Sequence, residues 1–159
     1  MLRYINYNIV FQEVPGEVTL AINISNCPNH CKDCHSPYLW KDTGTILDKI
    51  SLMELVNKYR QAITCVCFMG GDIDPEEVQN LSVYLKKQTD GQIKTGWYSG
   101  KNKLPACCSI ENFNYIKLGA FIKELGGLSS STTNQRFYKI EEKQMIDMTR
   151  LFAPSKSFS

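Results

Sequence analysis

The sequence predicts an α/β fold in which parallel strands form an open partial barrel. Short apolar runs that are typical of buried strands alternate with segments whose apolar residues recur at helical spacing. Such alternation favours parallel strands joined by right-handed crossovers. The spacing allows about four or five of these units, which is too few for a closed eight-stranded barrel. We expect residues 1–159 to form a single domain, with residues 154–159 as a flexible tail.

The strands of the sheet are predicted from their residue patterns. In residues 18–24, apolar and polar side chains alternate, which indicates a half-buried strand. Three further core strands are predicted at residues 65–68, 93–97 and 115–118, and a last strand is expected at residues 137–140.

The remaining elements are predicted from capping and turn signals. Ser51 and Glu54 form a capping pair ahead of an apolar helical face, and Asp74 is a good N-cap for a second helix. Apolar residues between positions 2 and 7 indicate a short edge element, and residues 143–152 predict a short helix.

Composition and charge argue against several classes of protein. Apolar residues make up 43% of the chain and charged residues 21%, as in a folded globular domain. A net charge of +2 gives no reason to expect nucleic acid as a partner, and no apolar run is long enough to span a membrane. The seven cysteines are an odd number, and three of them lie within eight residues. A reducing cytoplasm therefore fits better than a secreted disulfide framework.

Three cysteines lie in a loop after the first core strand. Cys27, Cys31 and Cys34 have the spacing C-x3-C-x2-C, so their sulfurs can meet at one point. Soft thiolate ligands select iron–sulfur clusters or zinc. Zinc would take a fourth ligand such as His30 or His35, but each of these adjoins a cysteine and is poorly placed to complete a tetrahedron. A four-iron cluster with three protein ligands keeps one iron open to bind another group.

Two turns follow the next core strands at the same predicted edge of the sheet. Gly70-Gly71-Asp72 ends one strand, and its glycine pair lets the backbone approach a ligand closely or adopt angles that other residues avoid. Residues 98–100 end the following strand. Ligands of open α/β sheets bind at the carboxyl ends of the strands. We therefore expect both turns and the cysteine loop to converge, although the glycine turn alone would be an ordinary strand-to-helix connection.

Together these motifs resemble the radical S-adenosylmethionine (SAM) superfamily. There a C-x3-C-x2-C loop follows the first strand, and a Gly-Gly-Glu segment meets the SAM amino group; here Asp72 takes the place of the glutamate. The segment at residues 27–35, with Trp40 beyond it, and the Asn-Gln-Arg element at residues 134–136 are similar to the activating proteins of anaerobic ribonucleoside-triphosphate reductases. The resemblance runs from about residue 14 to residue 140.

The resemblance implies an enzyme that holds a [4Fe–4S] cluster through Cys27, Cys31 and Cys34. It implies SAM contacts from the cysteine loop and the glycine turn, namely Asp33, Cys34, His35, Gly70, Gly71 and Asp72. In such enzymes, reductive cleavage of SAM gives a radical that takes hydrogen from one glycine of the reductase. The implied partners are the anaerobic ribonucleoside-triphosphate reductase, as protein substrate, and a one-electron donor such as flavodoxin. The implied setting is the cytoplasm of an anaerobic or microaerobic cell.

Two other functions remain open. One is the activation of another glycyl-radical enzyme such as pyruvate formate-lyase, although those activases resemble longer barrels. The other, from a different class, is a non-enzymatic iron–sulfur or zinc-binding module, which would not bind SAM. Trp97 and Tyr98 are expected either to stack on adenine or to belong to an aromatic core. No second cluster is assigned to the remaining cysteines, Cys65, Cys67, Cys107 and Cys108.

Overall fold

One sheet of eight strands organises the part of the chain that the structure describes. This structure is a computed structural model, and it describes residues 1–29 and 41–153. The strands are β1 (Leu2–Val10), β2 (Thr19–Ile24), β3 (Thr45–Leu47), β4 (Cys65–Met69), β5 (Lys94–Tyr98), β6 (Tyr115–Leu118), β7 (Arg136–Glu141) and β8 (Gln144–Asp147). The helices are α1 (Lys49–Tyr59) and α2 (Pro75–Gln88), with 3₁₀ turns at Ile110–Asn112 and Thr149–Phe152.

The strand order in the sheet is β3-β1-β2-β4-β5-β6-β7-β8. The four central strands β2, β4, β5 and β6 pair in parallel. The outer strands pair antiparallel, with β1 and β3 on one side and β7 and β8 on the other. The chain is therefore a mixed α/β protein built on a single sheet, and the prediction of a parallel core is confirmed. The carboxyl ends of the parallel strands share one edge.

The core strands lie where the sequence predicts them. Each of the four parallel strands begins and ends within one residue of its predicted bounds, and so does β7. The four parallel strands are the most buried of the sheet; β4, for example, is buried at every residue except its last. Burial dictates which side chains a strand can carry, so buried strands have patterns that can be recognised from sequence.

The prediction of a short edge element near the amino terminus is wrong. β1 has nine residues, and it lies inside the sheet because β3 pairs along its outer side, with Leu2 opposite Leu47. β3 has three residues, of which two are exposed. So short and exposed a strand carries no apolar pattern, which explains why the sequence does not predict it.

The prediction of a helix at residues 143–152 is also wrong. The chain instead reverses at Glu142 and Lys143, whose φ angles are +50° and +62°, and β8 pairs antiparallel with β7. A two-residue hairpin turn with positive φ at both positions is usually built from Asn, Asp or Gly. Glu-Lys gives no such signal. Only the end of the predicted helix is helical, as the 3₁₀ turn Thr149–Phe152.

Both α-helices begin after an aspartate. Asp48 caps α1: its carboxylate accepts a hydrogen bond from the Ser51 N–H, and the Ser51 hydroxyl accepts one from the Asp48 N–H, both at 2.9 Å. The predicted pairing of Ser51 with Glu54 is therefore wrong, because Ser51 closes the capping box instead of opening it. Asp74 caps α2 as predicted, with Pro75 as the first helical residue.

The sheet separates two apolar clusters, because successive side chains of a strand point to opposite faces. On one face, Val66 and Phe68 pack with buried residues of both helices. On the other face, Cys65 and Cys67 pack with Tyr115. Both cysteines are 0% exposed, which confirms the expected packing role. Burial raises the pKa of the Cys65 thiol to about 12, so this thiol stays protonated at neutral pH.

Candidate functional site at the carboxyl ends of the parallel strands

Part of the predicted site lies in the described chain. The predicted site residues that the structure describes are Cys27, Gly70, Gly71 and Asp72. Those that lie outside the described residues are Cys31, Asp33, Cys34 and His35, as do His30 and Trp40. The site can therefore be built from the strand ends that surround the cysteine loop.

The two ends of the cysteine loop are tied together beside β2. The Asn26 N–H donates a hydrogen bond to the Lys41 carbonyl at 2.9 Å, and the Ser25 hydroxyl donates one to the Thr43 carbonyl at 2.6 Å. Asn26 has a φ of +58°, a left-handed conformation that asparagine tolerates better than most residues. The chain thus turns sharply after β2, and Cys27 lies at the carboxyl end of that strand as predicted.

Gly70 and Gly71 follow β4 with φ angles of +111° and +97°, which side chains rarely adopt. A Cβ atom on Gly71 would lie 2.5 Å from Cγ2 of Val78, and one on Gly70 would lie 3.2 Å from the Ile24 carbonyl oxygen. The Trp97 indole N–H also donates to the Gly70 carbonyl at 2.8 Å. Backbone conformation at both positions, and packing against Val78 at Gly71, therefore favour glycine even without a ligand.

Trp97 belongs to the aromatic core and does not offer a face for adenine. It is 0% exposed and stacks on Phe113 with a ring-centroid distance of 5.5 Å. Tyr98 is half-buried, donates its hydroxyl hydrogen bond to the Glu13 carbonyl, and contacts Phe137 edge-on at 6.3 Å. Burial raises the pKa of the Tyr98 phenol well above its ordinary value, so the group remains a neutral donor.

Asp72 joins three strand ends through its carboxylate. Oδ1 accepts a hydrogen bond from the Ser99 hydroxyl at 2.5 Å. Oδ2 accepts one from the Gly100 N–H at 2.8 Å and another from the Asn29 amide nitrogen at 2.6 Å. The predicted convergence of the cysteine loop, the glycine turn and the turn at residues 98–100 is therefore confirmed for the described residues.

Lys117 extends this network to the end of β6. Its side chain is 8% exposed, and Nζ donates hydrogen bonds to the Ser99 carbonyl at 3.1 Å and to the Gly119 carbonyl at 2.8 Å. Nζ also lies 5.7 Å from the centroid of the Tyr98 ring, within range of a cation–π contact. A buried ammonium with these partners holds the ends of β5 and β6 together.

The Asn-Gln-Arg element splits between the site and the surface. The Asn134 amide donates to the Ala120 carbonyl at 3.0 Å, and the Gln135 amide donates to the Gly119 carbonyl at 3.4 Å. These two side chains fix the turn after β6. Arg136 points elsewhere: it is exposed and lies 3.8 Å from Asp147 in an ion pair with β8.

Sequence reasoning missed two participants in the network, Asn29 and Lys117. Asn29 lies between Cys27 and Cys31, and the cysteine spacing that identifies the loop does not specify the residue at this position. Lys117 is a lone cation in an otherwise apolar strand, and a buried charge of this kind must have partners. That misfit was the available signal for Lys117.

A second polar cluster lies at the opposite, amino-terminal edge of the parallel strands. The Glu17 carboxylate accepts hydrogen bonds from Thr64 at 2.8 Å, Lys94 at 2.9 Å and Tyr115 at 2.7 Å. Burial favours its protonated form, but the hydrogen bonds from Tyr115, Lys94 and Thr64 together hold the pKa of the Glu17 carboxyl below its usual value. Three protein side chains hold this carboxylate, and one of them is the cation of Lys94, which is the pattern of a structural ion pair.

One of the three predicted thiol ligands, Cys27, lies at the carboxyl edge within the described residues. Cys27 is a free, half-buried thiol, and the Asn29 amide donates a hydrogen bond to its sulfur at 3.6 Å. Hydrogen bonds of this kind commonly support metal ligands. Within residues 1–29 and 41–153, no group of three or more His, Cys, Asp or Glu side chains could hold a metal ion. Two of the three predicted cysteine ligands lie outside those ranges.

Comparison of the chain with protein-family models, with curated proteins and with solved structures found no match. In the described part of the chain, neither α-helix has the length and apolar character that crossing a membrane requires. Function must therefore be inferred from the residues at the strand ends and from their arrangement.

Proposed function

We propose that the protein is an activase of the radical SAM type, which forms a glycyl radical on an anaerobic (class III) ribonucleoside-triphosphate reductase. One observation carries this proposal. Asn29 of the cysteine loop and Asp72 of the glycine turn are 43 residues apart in sequence and are joined by a 2.6 Å hydrogen bond. The two motifs on which the superfamily resemblance depends therefore share one site.

In this proposal, the three thiolates of Cys27, Cys31 and Cys34 would hold a [4Fe–4S] cluster. When bound, such a cluster supplies the electron for reductive cleavage of SAM through its open iron. The protein's own part is to bind and orient SAM. Gly70 and Gly71 carry no side chain that would block the approach of SAM to the main chain.

The carboxylate of Asp72 would offer negative charge to the ammonium group of SAM. The other SAM contacts are proposed to come from the cysteine loop, namely Asp33, Cys34 and His35.

The proposed architecture is an open partial barrel with β2, β4, β5 and β6 as its core. Ligands of parallel sheets bind at the carboxyl ends of the strands, where the cysteine loop and the glycine turn meet. An open face beside SAM would admit a glycine-bearing loop of a protein substrate. The proposed setting is the cytoplasm of an anaerobic cell, with a one-electron donor such as flavodoxin and without nucleic acid or membrane partners.

Electron paramagnetic resonance of the anaerobically reconstituted and reduced protein tests the proposal. We expect a four-iron signal whose shape changes when SAM is added. Addition of the reductase should then produce the doublet of a glycyl radical on the partner, together with one 5′-deoxyadenosine for each radical formed.

Other results would point to other functions. A cluster signal that does not respond to SAM would indicate an electron carrier, and zinc without iron would indicate a binding module. A doublet on pyruvate formate-lyase but not on the reductase would redirect the proposal to another glycyl-radical enzyme. Substitution of Cys31 by alanine is the control, because it removes one proposed cluster ligand.

A further inference from the structure

The side-chain amide of Asn29 lies between a sulfur and a carboxylate. Its nitrogen is 3.6 Å from Sγ of Cys27 and 2.6 Å from Oδ2 of Asp72. A primary amide has two N–H donors, which is the number needed to serve both acceptors. The orientation of the amide follows from its neighbours, because a carbonyl oxygen in the place of the nitrogen would face two electron-rich atoms.

Asp72 is itself held firmly from β5. Besides Asn29, its carboxylate accepts hydrogen bonds from the hydroxyl of Ser99, which is 0% exposed, and from the main chain of Gly100. Gly100 also leaves the space that the amide occupies: a Cβ atom there would lie 2.6 Å from the Asn29 nitrogen. Asn29 is thus positioned by a neighbouring strand end, and the cysteine loop is not its sole support.

We propose that Asn29 donates a hydrogen bond to the Cys27 thiolate and so sets the reduction potential of the bound cluster, and that Asp72 positions the Asn29 amide for this task. The inference deepens the proposed function and rests on it. Reduction adds negative charge to a cluster and its thiolates. A donor to a ligand sulfur stabilises the reduced form more than the oxidised form and therefore raises the potential.

The test is a redox titration of the reconstituted protein, followed by the four-iron signal. In Asn29→Ala, we expect the equilibrium constant for reduction to fall about tenfold, which lowers the midpoint potential by about 59 mV for one electron. Asn23→Ala is the matched control. Asn23 lies in β2, the strand that precedes the cysteine loop, and its amide donates a hydrogen bond to the side-chain oxygen of Asn6 at 2.6 Å and not to a sulfur. We expect the control to keep the wild-type potential.

The positioning role of Asp72 is tested by a double-mutant cycle on the same potential. Asp72→Ala removes a negative charge, so the change in potential that it causes by itself does not report on the Asn29 amide. The informative quantity is the further change in potential when Asn29→Ala is added to the Asp72→Ala protein. We expect less than half of the original shift, because an unsupported amide no longer points at the sulfur. If Asp72→Ala does not assemble a cluster, Ser99→Ala replaces it, since it loosens Asp72 and keeps the charge.

The outcomes separate this inference from the proposed function. A wild-type protein that assembles no iron–sulfur cluster would overturn both. A cluster whose potential is the same in wild type, Asn29→Ala and Asn23→Ala would overturn the inference alone. Equal shifts from Asn29→Ala with and without the second substitution would show that Asp72 does not position the amide.

Discussion

Substitution of Gly71 by alanine tests whether packing alone fixes the glycine turn. The residue has a φ of +97°, where an L-residue costs about 1–2 kcal/mol. The new Cβ atom would also lie 2.5 Å from Cγ2 of Val78, a core residue that is 0% exposed. Overpacking of a well-packed core costs about 1–3 kcal/mol. We expect Gly71→Ala to lower the free energy of unfolding by about 2–5 kcal/mol.

Gly91→Ala is the matched control for backbone strain. Gly91 has a φ of +74°, and a Cβ atom there would have nothing within 4 Å. This substitution should cost only the strain, about 1–2 kcal/mol. The difference between the two variants therefore isolates the clash with Val78.

Urea unfolding of the metal-free proteins measures both free energies. Replacing Val78 by alanine in the Gly71→Ala protein removes the clashing methyl group, so the two substitutions should be less damaging together than their sum. If Gly71→Ala costs no more than Gly91→Ala, the packing argument is refuted. If it costs more, loss of activity in Gly71→Ala cannot be attributed to a lost SAM contact without the stability measurement beside it.

Three further predictions concern the two edges of the sheet. Glu17 has a lowered pKa, so its contribution to stability is present above its unfolded-state value of about 4.5 and is lost as pH falls through the lower folded-state value. Glu17→Gln should therefore flatten the acid limb of a stability–pH profile, and an unchanged limb would exclude Glu17 as its source. Cys31→Ala should lose iron on reconstitution, whereas the buried Cys65→Ala should keep it; iron retained in the first variant would contradict the ligand assignment. Trp97→Phe removes the donor to the Gly70 carbonyl and leaves a void, so urea unfolding should show a loss of about 2–4 kcal/mol, and a loss below about 1 kcal/mol would contradict this packing role.

The sequence by itself determined the parallel core. The strands at residues 65–68 and 115–118 could be predicted because every position of a buried strand must carry a side chain that tolerates burial. This requirement leaves a local pattern in the sequence. The cap at Asp74 could be predicted for a similar reason, since capping depends on residues within one helical turn. Convergence of the cysteine loop with the glycine turn followed from a topological rule for parallel sheets.

Only the tertiary structure decided the outer strands and the contacts of the site. β3 and β8 pair through backbone hydrogen bonds and carry mostly exposed side chains. The hairpin at Glu142 and Lys143 lacks the residues that usually mark such a turn. Asn29 and Asp72 meet from separate strand ends. Local patterns record burial and backbone preference within a few residues. The hydrogen-bond partner of a polar side chain depends on how distant segments pack together. No single stretch of sequence encodes that packing.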